Sequence, residues 1–160
     1  MSISRKVLES LNSLGVTLAA KPEFPIPDLP RDITELDDEG LMDLFVQFTQ
    51  WNDHLSGARA IAVINEREAE RVLDTHEAHS MLANWTDSKA DRVAVTKAKI
   101  ASDPKVIELR EDLDTKYAFR KMIETRAENV ERDSQVVSRE LTRRTSDGGG
   151  FRSRVRKFTT

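Results

Sequence analysis

Seven cationic side chains stand in the last 27 residues: Arg139, Arg143, Arg144, Arg152, Arg154, Arg156 and Lys157. Two acids accompany them, so residues 134–160 carry 7 − 2 = +5, while the remaining 133 carry 18 − 26 = −8. An acidic body with a basic end points to a polyanionic or acidic partner. Arg139 and Arg143 are four apart and share a helical face, with Arg144 beside them. After Gly148–Gly150, Arg152, Arg154 and Arg156 alternate with Phe151, Ser153 and Val155. In an extended chain that alternation puts three guanidiniums on one side and Phe151 with Val155 on the other. Guanidiniums in a row suit the phosphates of a strand, and Phe151 or Phe158 can stack on an unpaired base. The same alternation would serve a β-strand added to a partner's sheet, and a basic tail can also act only on solubility.

Other chemistry finds little footing. His76 and His79 stand at i and i+3, a spacing that ligates metal in bundles when carboxylates face it. Both fall in an apolar seam where polar residues commonly set register, so no metal and no other cofactor is expected. Acids interleave with bases in "NEREAERVLD" and "ELREDLDTKY", the pattern of solvated helix faces rather than of a catalytic pair. The triple glycine lacks the Gly-Lys-Ser/Thr close of a phosphate loop. Cysteine is absent, and no Ser-His-Asp set suggests itself. The chain does not read as an enzyme. No apolar run long enough for a membrane span occurs, and the amino-terminal residues lack a signal-type apolar core. A soluble cytoplasmic protein with no membrane partner is expected.

The elements that carry these residues follow from periodicity. Residues 1–15 form a short amphipathic helix with Val7, Leu8, Leu11 and Leu14 on one side and Gly15 as its cap. Residues 16–33 include "KPEFPIPDLP", four prolines in ten residues, an extended strap whose Phe24, Ile26 and Leu29 would lie on a neighbouring helix or on another subunit. Residues 34–146 form the main body. Thr34 or Asp37 offers an N-cap, and from Leu41 to Ile100 apolar or small residues recur at alternating three and four. The repeat is weaker beyond Val72, and whether the helix is broken near Asn84–Thr86, beside Trp85, is left open by the sequence. "SDP" at Ser102–Pro104 then reverses the chain, with Asp103 as cap and Pro104 at the first helical position. A second helix repeats the spacing from Val106 to Leu141, and the glycines end it. Residues 147–160 are read as a flexible basic tail.

The expected fold is therefore all-α: a long antiparallel, coiled-coil-like helical hairpin with a short amino-terminal helix, a proline-rich strap and a Gly-Arg tail. At about 1.5 Å per residue the first helix, unbroken, would reach roughly 90 Å and the second roughly 60 Å. The surplus stretch holds Leu41, Leu44, Phe45, Phe48, Trp51 and Leu55. Each aromatic there is worth about 1.5–3 kcal/mol when buried, so this end is expected to pack on other copies of the chain.

A capped helix with "FTQWNDHL", a charged continuation "INEREAERVL", a turn, and a second helix closing on "VSRELTRR" resembles the UvsY-type recombination mediators of tailed phages. The likeness spans roughly Leu36 to Arg144; the strap and the Gly-Arg tail lie outside it. It implies a homo-oligomer that binds single-stranded DNA and helps a RecA-like recombinase displace single-strand-binding protein, by non-covalent means. The rival expectation is a coiled-coil structural or scaffold protein, such as a phage-particle component, whose basic tail docks a partner protein.

Overall fold

The computed structural model describes residues 2–84 and 92–156, with side chains at 2–84 and 93–146. The fold is all-α, with no strand among the described residues. Helix α1 spans Ile3–Ser13, a 3-10 turn Ile33–Glu35, α2 Asp38–Ala83, α3 Arg92–Ala101 and α4 Pro104–Arg156.

The caps fall where the sequence places them. Gly15 takes φ +74°, and its N–H and that of Val16 close back on Asn12 O and Leu11 O, both at 3.0 Å. That pair of bonds is the glycine stop that only a residue free of a Cβ adopts cheaply. Asp37 caps α2, its Oδ1 accepting the Gly40 N–H at 2.8 Å, whereas Thr34 sits in the 3-10 turn. Asp103 caps α4 by accepting the Lys105 N–H at 2.8 Å, and Pro104 is the first helical residue. Leu14 lies past the end of α1 and is exposed, so it does not join the apolar side of that helix.

The chain divides into two compact units. The strap unit comprises Leu18–Gly57 and α4 from Thr125. Its core holds Leu41, Phe48, Trp51 and Leu55 of α2 against Ala127, Val130 and Val137 of α4. Phe24, Ile26, Leu29, Ile33 and Leu36 pack on that core, so the strap lies on its own chain's helices. Further along, Leu18 carbons lie 3.5 Å from where a Cβ on Gly57 would stand, and the His54 Nδ1–H donates to Ala19 O at 3.0 Å. Leu41 and Phe48 are wholly buried, with Leu44 and Phe45 partly so.

Of the six residues expected to pack on other copies, Leu41, Phe48, Trp51 and Leu55 are thus covered within the chain, while Leu44 and Phe45 are only partly so. Helix α2 ends at Ala83, just ahead of Asn84–Thr86, where the sequence left a break open; Trp85 itself lies outside the described residues.

The turn unit comprises Met1–Thr17 and Ala58–Glu124, and its apolar core is small: Leu73, Ile100 and Val106, with Leu109 and Leu113 at its edge. Ion pairs run along the helices: Arg59 to Glu124 at 2.6 Å, Glu66 to Arg120, and Glu77 to Arg110 at 2.7 Å. Rising numbers on α2 meet falling numbers on α4, the mark of an antiparallel pair. The seam drifts here. Leu73 is buried and Val72 exposed, one position off the strict seven-residue repeat, because a straight helix turns at 3.6 residues rather than 3.5.

Helix α4 also runs on through Gly148–Gly150 to Arg156, past the glycines where its end is expected. Glycine weakens a helix interior by about 1 kcal/mol relative to alanine but, unlike proline, removes no donor.

Candidate nucleic-acid interface

The candidate cations on α4 sort by helical register. Val137 and Leu141 face the strap-unit core, and Glu140 follows them inward, where it is buried despite its charge. A buried carboxylate needs paired, hydrogen-bonded partners. Glu140 has two. Arg143 donates Nε and Nη2 to it at 2.8 and 2.7 Å, and Arg144 donates Nε at 2.8 Å. These contacts close at i+3 and i+4, the distances at which helical side chains meet. They hold the Glu140 carboxyl far below its ordinary value, at about 2, the Arg143 hydrogen bond weighing most and the Arg144 bond next.

Arg144 goes further. Its Nη1 donates to Asp38 Oδ1 at 2.9 Å and its Nη2 to Thr34 O at 3.1 Å. One guanidinium thus ties the last turns of α4 to the start of α2 and to the 3-10 turn before it. The partners raise the Arg144 pKa, Glu140 first and Asp38 second. Only 21 % of its side chain is exposed, against 57 % for Arg143. Arg144, expected among the phosphate-facing residues, is thus engaged as a structural clasp by two carboxylates of its own chain.

Arg139 differs. It is exposed and makes no hydrogen bond or ion pair among the described residues. Arg143 is engaged by Glu140 through Nε and Nη2. The side chains of Arg152, Arg154, Arg156 and Phe151 lie outside the described residues, as do Lys157 and Phe158 entirely. Because the backbone is helical to Arg156, the two-sided alternation argued for an extended chain does not apply to residues 151–156.

Glu140 is the residue the cationic pattern hid. "RELTRR" carries the signal, an acid three and four residues ahead of two arginines. Asp38 carries none, since its pairing depends on which turn of α2 meets the end of α4.

The histidines also part company. His76 Nε2 lies 3.5 Å from Asp103 Oδ2, while His79 is exposed and takes no part in the seam. Asp103 is thereby shared. Its carboxyl is held below the ordinary value, mainly by the Lys105 N–H and then by His76 and Ser80. Among the described residues no group of three or more His, Asp or Glu is placed to hold a metal ion, and no helix is long and apolar enough to cross a membrane.

No family model, curated protein or solved structure matches the chain.

Proposed function

We propose that the chain is a non-enzymatic cytoplasmic protein that holds single-stranded DNA through its basic carboxy-terminal end. Its role would be that of a recombination mediator easing a RecA-like recombinase onto strands covered by single-strand-binding protein. One observation carries the reading: +5 gathered in residues 134–160 against −8 elsewhere. Arg139, exposed and uncompensated, supports it. The clasp of Arg144 refines it, because it ties α4 to the start of α2 and leaves the phosphate contacts to Arg139 and the residues beyond Asp147. Phosphate neutralisation of this kind releases counterions, so affinity falls steeply with salt. Self-association, which adds weak grips through effective concentration, would use surface outside the strap-unit core.

A scaffold protein whose tail docks a partner is the second reading. Exposed Phe119 and Met122 on α4, at 56 % and 73 %, favour it as apolar surface for contact.

Fluorescence anisotropy with a labelled oligothymidine separates the two. The full chain should bind at low salt and lose the strand as salt rises. A chain ending at Ser146 should lose at least about tenfold, and Arg139→Ala a few-fold, whereas Arg144→Ala should cost stability first. Light scattering on the same samples reports the assembly mass. Robust self-assembly with no response to the oligonucleotide would leave only the scaffold.

A further inference from the structure

The turn unit holds a second concentration of positive charge, remote in sequence from the carboxy-terminal arginines. A groove of about 400 Å³ runs between α2 and the first turns of α4. Arg71, Thr75 and His79 line it from one stripe of α2, spaced i, i+4 and i+8, with His76 beside them and Lys105 opposite on α4. No carboxylate lines it, in a chain with 28 acids and a net charge of −3.

The side chains of Arg71 and His79 make no hydrogen bond or ion pair among the described residues. His76 Nε2 is buried with no hydrogen-bond partner, its nearest carboxylate oxygen being Asp103 Oδ2 at 3.5 Å. A buried ring nitrogen without a partner is costly, and a bound acceptor would relieve it. Lys105 has a local partner, Glu108 at 2.8 Å, on an exposed side chain free to turn, and the Thr75 hydroxyl donates to Arg71 O at 2.7 Å. Lys105 also sits in the first turn of α4, the positive end of that helix.

A guanidinium, an ammonium and two imidazoles form a donor-rich, multi-point set. The ligand that matches it is a compact group with several acceptor oxygens and more than one negative charge. The volume falls within the range of small-molecule sites and exceeds a bare anion, while Val72 and Leu109 offer an apolar wall for whatever the anion is attached to. We infer that this groove is a binding site for a phosphate monoester. The monoester could be a free small molecule or the terminal phosphate of a nucleic-acid strand. The site stands whether or not the carboxy-terminal end binds DNA.

The three histidines supply a built-in readout. His76 and His79 line the groove, whereas His54 lies in the strap unit, engaged with Ala19 O. Ring resonances of the ¹⁵N-histidine-labelled full chain are to be followed during titration with inorganic phosphate, with chloride at matched ionic strength as control. His76 and His79 should shift saturably while His54 stays still. Arg71→Gln and Lys105→Gln, both at exposed positions, should each weaken the response at least about fivefold with an unchanged far-UV spectrum. A 5′-phosphorylated trinucleotide and its 5′-hydroxyl twin then identify the source. Response to the phosphorylated form alone marks a strand end, and response to inorganic phosphate without either trinucleotide marks a free small molecule. Equal responses to both trinucleotides would overturn the monoester assignment. So would His54 moving with the other two, or variants that bind like the parent.

Discussion

The two units pair the same two helices by different physics. In the strap unit wholly buried apolar side chains join α2 to α4, and a proline-rich strap seals the flank. In the turn unit the buried apolar cluster is Leu73, Ile100 and Val106, and of the other described apolar side chains only the small ones of Ala62 and Ala69 are buried. Ion pairs take over along the helices. Arg120 is the hub there. It donates to Glu66 and to Glu124, which Arg59 also reaches, and lies 5.3 Å from the centre of the Tyr117 ring. Apolar burial is insensitive to salt, whereas partly exposed ion pairs are screened by it. One helix pair therefore has two kinds of vulnerability along its length.

The largest effect should come from the strap unit. Phe48→Ala removes a wholly buried ring and is expected to cost about 3–5 kcal/mol, read as a fall in the urea midpoint. Amide exchange should quicken in residues 38–57 before residues 58–83. Uniform quickening would erase the distinction drawn between the units.

Glu66→Gln probes the other side. It strips Arg120 of its main partner, the one that raises the guanidinium's pKa most. The loss in melting temperature should be clear at low salt and shrink toward 1 M salt, where charges are screened within about 3 Å. A loss of the same size at both salts would mean that packing, not charge, holds this unit.

Acid provides a third contrast. Glu140 has a folded-state pKa of about 2 against an ordinary 4.5. Its contribution is thus complete above the ordinary value and disappears as pH falls from 4.5 toward 2. Across that window the start of α2 should loosen, since Arg144, which also holds Asp38, loses the Glu140 carboxylate. Glu140→Gln should flatten the acid limb of the stability profile. An unchanged limb would show the clasp to be incidental.

The smallest effects come from two glycines and should have opposite signs. Gly15→Ala forces a left-handed residue with no atom within 4 Å to blame, at about 1 kcal/mol. Gly57 sits inside α2, and an added Cβ would meet Leu18 at an ordinary 3.5 Å. Gly57→Ala should stabilise by up to about 1 kcal/mol. Thermal melts of the pair test both signs.

Local signals survive into the structure wherever a few neighbouring residues decide the outcome. Gly15, Asp37, Asp103 and Pro104 stop and start helices as their side chains and backbones dictate. The seam from Leu41 to Leu55 and from Val106 to Leu141 is legible because a helix repeats its face regardless of partner. The strap's lie on its own helices was open in the sequence: Phe24, Ile26 and Leu29 say only that they need cover.

The amino-acid order alone settled the helical class, the chain reversal at Ser102–Pro104 and the separation of charge, since each depends on residues a turn or less apart or on simple sums. Tertiary packing alone decided what covers Phe48 and Trp51, which arginine is neutralised, and that Arg71, His76, His79 and Lys105 border one groove. Those outcomes depend on the register in which α2 meets α4. Within each unit that register is a matter of both helices together, so no single segment encodes it.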